Sequence, residues 1–173
     1  DLFELAAHAR SKKISVVLST NGTLITEDIA TRIKETGFSY VGVSLDGIGP
    51  VHDHFRGVEG TFDKVVRAYR NLKKAGQKAG LRLTLTHKTT ERLEEVFSFI
   101  EREGIDRVCF YHLVPAGRGK GLFVSDVQRV REAIGKILAW MDSLIQRGLR
   151  KEVLTVDNPC DGPFLYLEML RKK

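Results

Sequence analysis

Cysteine, proline and tryptophan are scarce in this chain: two, four and one in 173 residues. Cys109 and Cys160 stand far apart and form no metal-binding or redox spacing. The lack of a disulfide framework suits a reducing compartment, so a cytoplasmic protein is expected. Cys109 lies in the apolar run RVCFYHLV, where a thiol behaves as a small buried hydrophobe. No apolar run approaches the roughly 20 residues of a membrane-spanning helix, and no membrane partner is expected. No secretory leader is expected, since the sequence begins in the helical pattern DLFELAAHAR. The P-loop spacing is missing, and no GxGxxG stands between a strand and a helix, which argues against a dinucleotide fold. Acidic residues are outnumbered, 22 against 28 Lys and Arg, for a net charge of +6. That excess suits an anionic ligand or a solvated surface. Basic residues are not interleaved with stacking aromatics and no nucleic-acid motif occurs, so no nucleic-acid partner is expected.

What is present is an alternation of apolar runs and helical periodicity. Strands are expected at 14–20, 40–46, 81–87, 106–114 and 153–156. Helices are expected at 27–37, closed by Gly37, then at 62–75, 91–104 and 126–147, with a last piece from 163. Ser125 followed by Gln128 has the form of a capping box for the long helix. Trp140 lies within that helix and is expected in the core. Strands separated by helices imply parallel strands joined by right-handed crossovers.

The strands carry an apolar face and a polar one. Val41, Val43 and Leu45 alternate with Gly42, Ser44 and Asp46, and Leu81, Leu83 and Leu85 alternate with Arg82, Thr84 and Thr86. A doubly wound sheet, buried on both faces, would have near-continuous apolar strands. One polar face instead suits a barrel-like sheet covered by helices on one side, wider or less complete than a closed eight-strand barrel, whose interior is apolar. Polar groups gather where strands end: Asn21-Gly22, Ser44 with Asp46-Gly47, Thr86-His87, and His112 before PAGRGKG. Ligand sites of parallel α/β folds form at that edge. Each group also has a purely structural reading: TNG and SLDG as turns, His87 and His112 as satisfied histidines, GRGKG as a basic loop or an anion-binding nest.

Together STNGTLIT, YVGVSLDG, HDHFRG, GTFDKVVRAYRNLKKAG, CFYHLVPAGRGKG and VLTVDNPCDGPFLYLEMLR resemble the radical SAM enzymes of the haem d1 and alternative haem biosynthesis group, which carry a SPASM-type auxiliary-cluster region. The resemblance implies an α/β fold, a partial (β/α)6 TIM-like barrel of which this chain supplies about strands 3–6. Residues 1–123 would be barrel units, and 124–173 a C-terminal helical extension leading to the auxiliary-cluster region. The implied cofactors are S-adenosylmethionine and a [4Fe–4S] cluster whose CxxxCxxC ligands lie outside this segment, which alone is expected to be inactive. The implied reaction is reductive cleavage of S-adenosylmethionine to a 5′-deoxyadenosyl radical that acts on a tetrapyrrole side chain.

By the same resemblance Asn21, Ser44, Asp46, Arg56 and Leu113 are cofactor-binding residues. Ser44 would contact ribose or the methionyl carboxylate, and Asp46 its own loop or a ribose hydroxyl. Arg56 matches the carboxylate in a two-pronged way, and the backbone near Leu113 would support adenine. Arg82, His87 and Arg118, with Lys88 and Lys120, would supply positive charge to an anionic tetrapyrrole. A flavodoxin or ferredoxin is the implied electron donor. Two alternatives stand beside this reading. One is a radical SAM enzyme that matures peptides or proteins, since SLDG occurs there too. The other is an aldolase-type barrel using GRGKG for phosphate, for which only Lys88 lies near a strand end.

Overall fold

The computed structural model describes residues 1–114, 116 and 126–171. Five strands, β1 (Val17–Thr20), β2 (Tyr40–Ser44), β3 (Ala79–Leu85), β4 (Arg107–His112) and β5 (Glu152–Val156), form one sheet in chain order. Eight helices accompany them among the described residues: α1 (Leu2–Ser11), α2 (Glu27–Thr36), α3 (Pro50–Arg56), α4 (Thr61–Lys74), α5 (His87–Glu91), α6 (Leu93–Arg102), α7 (Val127–Gln146) and α8 (Asp161–Arg171). β1 pairs with β2, β2 with β3, and β4 with β5, each in parallel. Sequential order has no switch point, so the sheet is wound in one sense, as in a (β/α) barrel. The chain divides into two compact units, Asp1–Arg82 and Leu83–Lys173.

In the first unit the apolar strand face is sealed. Val41, Val43 and Leu45 have no solvent exposure and Leu81 has 1%. α4 covers them with Val65, Ala68, Tyr69 and Leu72, and packs against α2 and β2. The turn after β1 sits down on this layer. A Cβ at Gly22 would lie 2.8 Å from Val43 Cγ1, and its φ of +75° independently favours glycine.

The segment after β2 is more ordered than a loop. α3 is absent from the sequence expectation, yet its punctuation is present: Pro50 in the first turn and Gly57 as a left-handed C-cap. The buried His52 accepts the Asp46 backbone N–H on Nδ1 at 3.0 Å. Arg56, at the end of α3, binds the Asp46 carboxylate. Gly47 has φ +139°, and a Cβ there would stand 2.6 Å from Val51 Cγ1, so the SLDG turn requires glycine at this position. Gly60 caps α4 without a side chain, and Asp53 takes over that task. It accepts the N–H groups of Gly60 and Phe62, each at 2.7 Å, and the Thr61 hydroxyl at 2.8 Å. Burial pushes the Asp53 carboxyl up, but the three hydrogen bonds outweigh it and hold the group below the usual carboxylate range.

The second unit centres on Phe97, whose ring stacks on Trp140 at 4.5 Å and meets Phe110 edge-on at 6.3 Å. Trp140 and Cys109 are buried, as expected. Glu101 of α6 ties α7 down: its Oε1 accepts Trp140 Nε1–H at 2.8 Å and Arg147 Nη2 at 2.9 Å, while Oε2 accepts Nη1 at 2.7 Å. The Arg147 and Trp140 bonds hold the Glu101 carboxyl down to about 2. The cap of α7 is Asp126, which accepts Gln128 N–H at 2.8 Å, one residue later than expected. Ser125 lies outside the described residues. β3 also ends before its expected limit. Thr86 caps α5 in a reciprocal bond with Thr89, so His87 leaves the strand and opens a helix.

Two pH dependences follow from these buried contacts. Desolvation pushes the His52 imidazole below its ordinary 6.5, reinforced by Arg56 and opposed by the carboxylates of Asp46 and Asp53. Folding therefore favours neutral His52. Its contribution is complete above pH 6.5 and is lost as pH falls below that value. Melting curves from pH 7.5 to 5 will show that loss in the wild type, and His52→Asn will flatten the slope while lowering stability at pH 7.5. Glu101 has the acid window: its contribution is present above its ordinary 4.5 and is lost as pH falls towards 2. Urea unfolding of Glu101→Gln should lose about 1 kcal/mol at pH 7, the scale of a partly solvated charge-assisted pair, and less at pH 3.

Candidate functional site

On the polar side of the sheet, register sets Ser19 opposite Gly42, Gly42 opposite Gly80, and Ser44 opposite Arg82. One row thus carries almost no side-chain bulk. Arg82 uses the space, lying flat across the sheet. Its Nη1 donates to Ser19 Oγ at 3.0 Å, and its Cδ stands 2.7 Å from where a Cβ at Gly42 would be. Any side chain at position 42 would displace the arginine. Ser44 is half-buried beside it, and no described residue hydrogen-bonds its hydroxyl. The guanidinium, the two serine hydroxyls and the glycine floor make a cationic, hydrogen-bonding strip suited to an anionic or hydroxyl-bearing ligand.

The residues at the strand ends are more committed. Asn21 is exposed, and its Oδ1 accepts both the N–H and the hydroxyl of Thr23 at 3.1 Å, shaping its own turn. Asp46 is 1% exposed and ion-paired with Arg56. Of the two roles that the sequence leaves open for Asp46, this geometry matches fixing its own loop. Arg56 is partly open to solvent, with side-chain exposure of 32%.

In the second unit β4 ends in His112, whose Nε2 lies 2.8 Å from Asp161 Oδ2. Both side chains are nearly buried, with exposures of 12% and 11%. Nothing local in the sequence marks this pair, because the partners are 49 residues apart. The motif VDNPCDG builds it. β5 runs beside β4 with Val156 opposite Tyr111. Asp157 then turns the chain at φ +71°, and Asn158 Oδ1 accepts Cys160 N–H at 3.1 Å. This delivers Asp161 in the first turn of α8. The pair borders a cavity of about 540 Å3 with apolar walls from Val130, Ile134 and Phe164.

Leu113 follows His112 and is half-buried. His87 does not join this pair. It is exposed on α5, with Nδ1 3.1 Å from Arg129 Nη1. The whole of GRGKG, with Arg118 and Lys120, lies outside the described residues. Both cysteines are free, and among the described residues no three His, Cys, Asp or Glu side chains are grouped to hold a metal ion. No described helix is long and apolar enough to cross a membrane.

The sequence pattern of the radical SAM superfamily matches residues 1–100. Fe-coproporphyrin III synthase from Methanosarcina barkeri is 47% identical over 174 aligned residues, covering 99% of this chain and 44% of that protein. Pre-heme d1 synthase from Dinoroseobacter shibae is 39% identical over 167, covering 95% of this chain and 41% of that protein. The chain therefore spans less than half the length of either relative. Among solved structures, native anSMEcpe with bound AdoMet and Kp18Cys peptide superposes with a TM-score of 0.75 at 24% identity, over 88% of this chain and 45% of that one. That likeness bears out the expected α/β, partial TIM-like barrel fold. Enzymes of this family use S-adenosylmethionine and a [4Fe–4S] cluster, and the chain belongs to the radical SAM superfamily.

Proposed function

We propose that this chain is part of a radical SAM enzyme that modifies a tetrapyrrole side chain in haem or haem d1 biosynthesis. The observation that carries this reading is the end-to-end match to Fe-coproporphyrin III synthase and pre-heme d1 synthase, spanning 99% and 95% of the chain. In this reading residues 1–123 are barrel units and 124–173 the extension towards an auxiliary-cluster region.

The polar strip of the first unit suits part of S-adenosylmethionine. The ligand carries a carboxylate and ribose hydroxyls, and the strip offers a guanidinium, serine hydroxyls and a glycine floor that a Cβ would fill. When bound, the cofactor and its cluster supply a strong hydrogen-abstracting group through one-electron cleavage. The chain's own residues bind and orient. Ser44 donates its hydroxyl to the ligand's carboxylate or ribose. Asn21 holds the neighbouring turn in place. Asp46 and Arg56 fix the SLDG turn, and the open side of Arg56 is available to a carboxylate. In the second unit the backbone at Leu113 supports adenine. Arg82, His87 and Arg118 are assigned to the carboxylates of an anionic tetrapyrrole. Arg82 also lies beside Ser44, so the same guanidinium can serve a cofactor carboxylate. Electrons come from a one-electron donor of the flavodoxin or ferredoxin kind, and the protein works in the cytoplasm.

In the intact enzyme under reducing conditions, Ser44→Ala should slow S-adenosylmethionine cleavage by roughly tenfold, equivalent to about 1.4 kcal/mol. An unchanged rate removes Ser44 from the site. Addition of an iron tetrapyrrole bearing acetate and propionate groups should shift its Soret band. A band that stays fixed at saturating enzyme overturns the substrate assignment.

A further inference from the structure

We propose that His112, held in place by Asp161, is a ligand contact at the polar end of the cavity in the second unit, and that this cavity takes a carboxylate-bearing edge of a flat apolar ring system. The inference rests on the tetrapyrrole reading above and adds a site to it.

The hydrogen bonding of the histidine is half used. Nε2 is committed to Asp161, which places the ring proton there in the neutral form and fixes the ring plane. Nδ1 bonds no described residue. Gln77 Oε1 is the one sealed side-chain polar atom without a partner among the described residues, so Nδ1 is not sealed. His112 is otherwise nearly buried, and the space it adjoins is the cavity. The second nitrogen is therefore available to a ligand.

The rest of the cavity agrees with such a ligand. Its volume, about 540 Å3, falls in the range of small-molecule sites, and its largely apolar surface carries polar groups from His112, Arg131, Asp157, Asn158 and Asp161. Arg131 also lines it and provides a second cation for a carboxylate. Neutral His112 accepts a hydrogen bond from a protonated carboxyl at Nδ1, and protonated His112 donates one to a carboxylate. His112 is thus the contact residue and Asp161 its positioning residue.

The test uses the intact enzyme with 15N-labelled histidine and iron-free coproporphyrin III as the probe. The His112 resonances are assigned by their loss in His112→Gln. The expected result is a shift of the His112 Nδ1 resonance on titration. Affinity should fall about tenfold in His112→Gln, and should also fall in Asp161→Asn, whose free protein should show an altered His112 tautomer balance at wild-type melting temperature. The tetramethyl ester of the same macrocycle should bind wild type and His112→Gln within twofold of each other. If the wild type binds the probe but its His112 nitrogens do not move, and Asp161→Asn binds equally well, the inference is overturned while the tetrapyrrole reading stands. If the wild type cleaves S-adenosylmethionine but binds no tetrapyrrole, the substrate reading falls and this inference with it.

Discussion

The separation of two strand faces governs what the first unit can do. Val41, Val43 and Leu45 are fully withdrawn from water, so β2 has one workable register. A one-residue slip would expose all three, at roughly 1.5–3 kcal/mol for each side chain, and would drive Ser44 under the helices. The opposite face is then obliged to carry Gly42 and Ser44. The bareness of that face lets Arg82 reach across to Ser19. The cationic strip is therefore a by-product of core packing, held by the most strongly buried residues of the unit.

The turn after β2 converts that strand end into a rigid edge. A histidine binds the backbone of Asp46, an arginine binds its carboxylate, and a glycine permits the bend. Asp53, next to that histidine, caps the following helix. The polar residues of HDHFRG are thus mostly spent on architecture. A polar cluster near a ligand edge contains residues that touch a ligand and residues that hold the first kind still. Here His52 and Asp53 belong to the second kind.

The alternation of β2 and β3, the strand order and the core role of Trp140 were legible in the sequence, because period and hydrophobicity are local properties. The family was legible as well, from motifs spread along the chain. The partnerships were not. Arg82 and Ser19 are separated by 63 residues, and His112 and Asp161 by 49, so only the assembled sheet brings them together. His87 shows the opposite failure. Its place in an alternating run suggested a strand, but the reciprocal bonds of Thr86 and Thr89 divert the backbone into a helix first. Capping chemistry overrode periodicity over two residues. At the start of α7 a neighbouring acceptor, Asp126, supplies the cap, which a motif based on Ser125 does not foresee.

The single tryptophan of the chain lies in the second unit, stacked 4.5 Å from Phe97 and tied to Glu101. Indole emission consequently senses only Leu83 onward, whereas far-ultraviolet dichroism registers helices throughout. Overlaying the two optical signals during denaturation separates a concerted collapse from a stepwise one, without introducing a label. The native fluorophore is thus a built-in gauge of cooperativity.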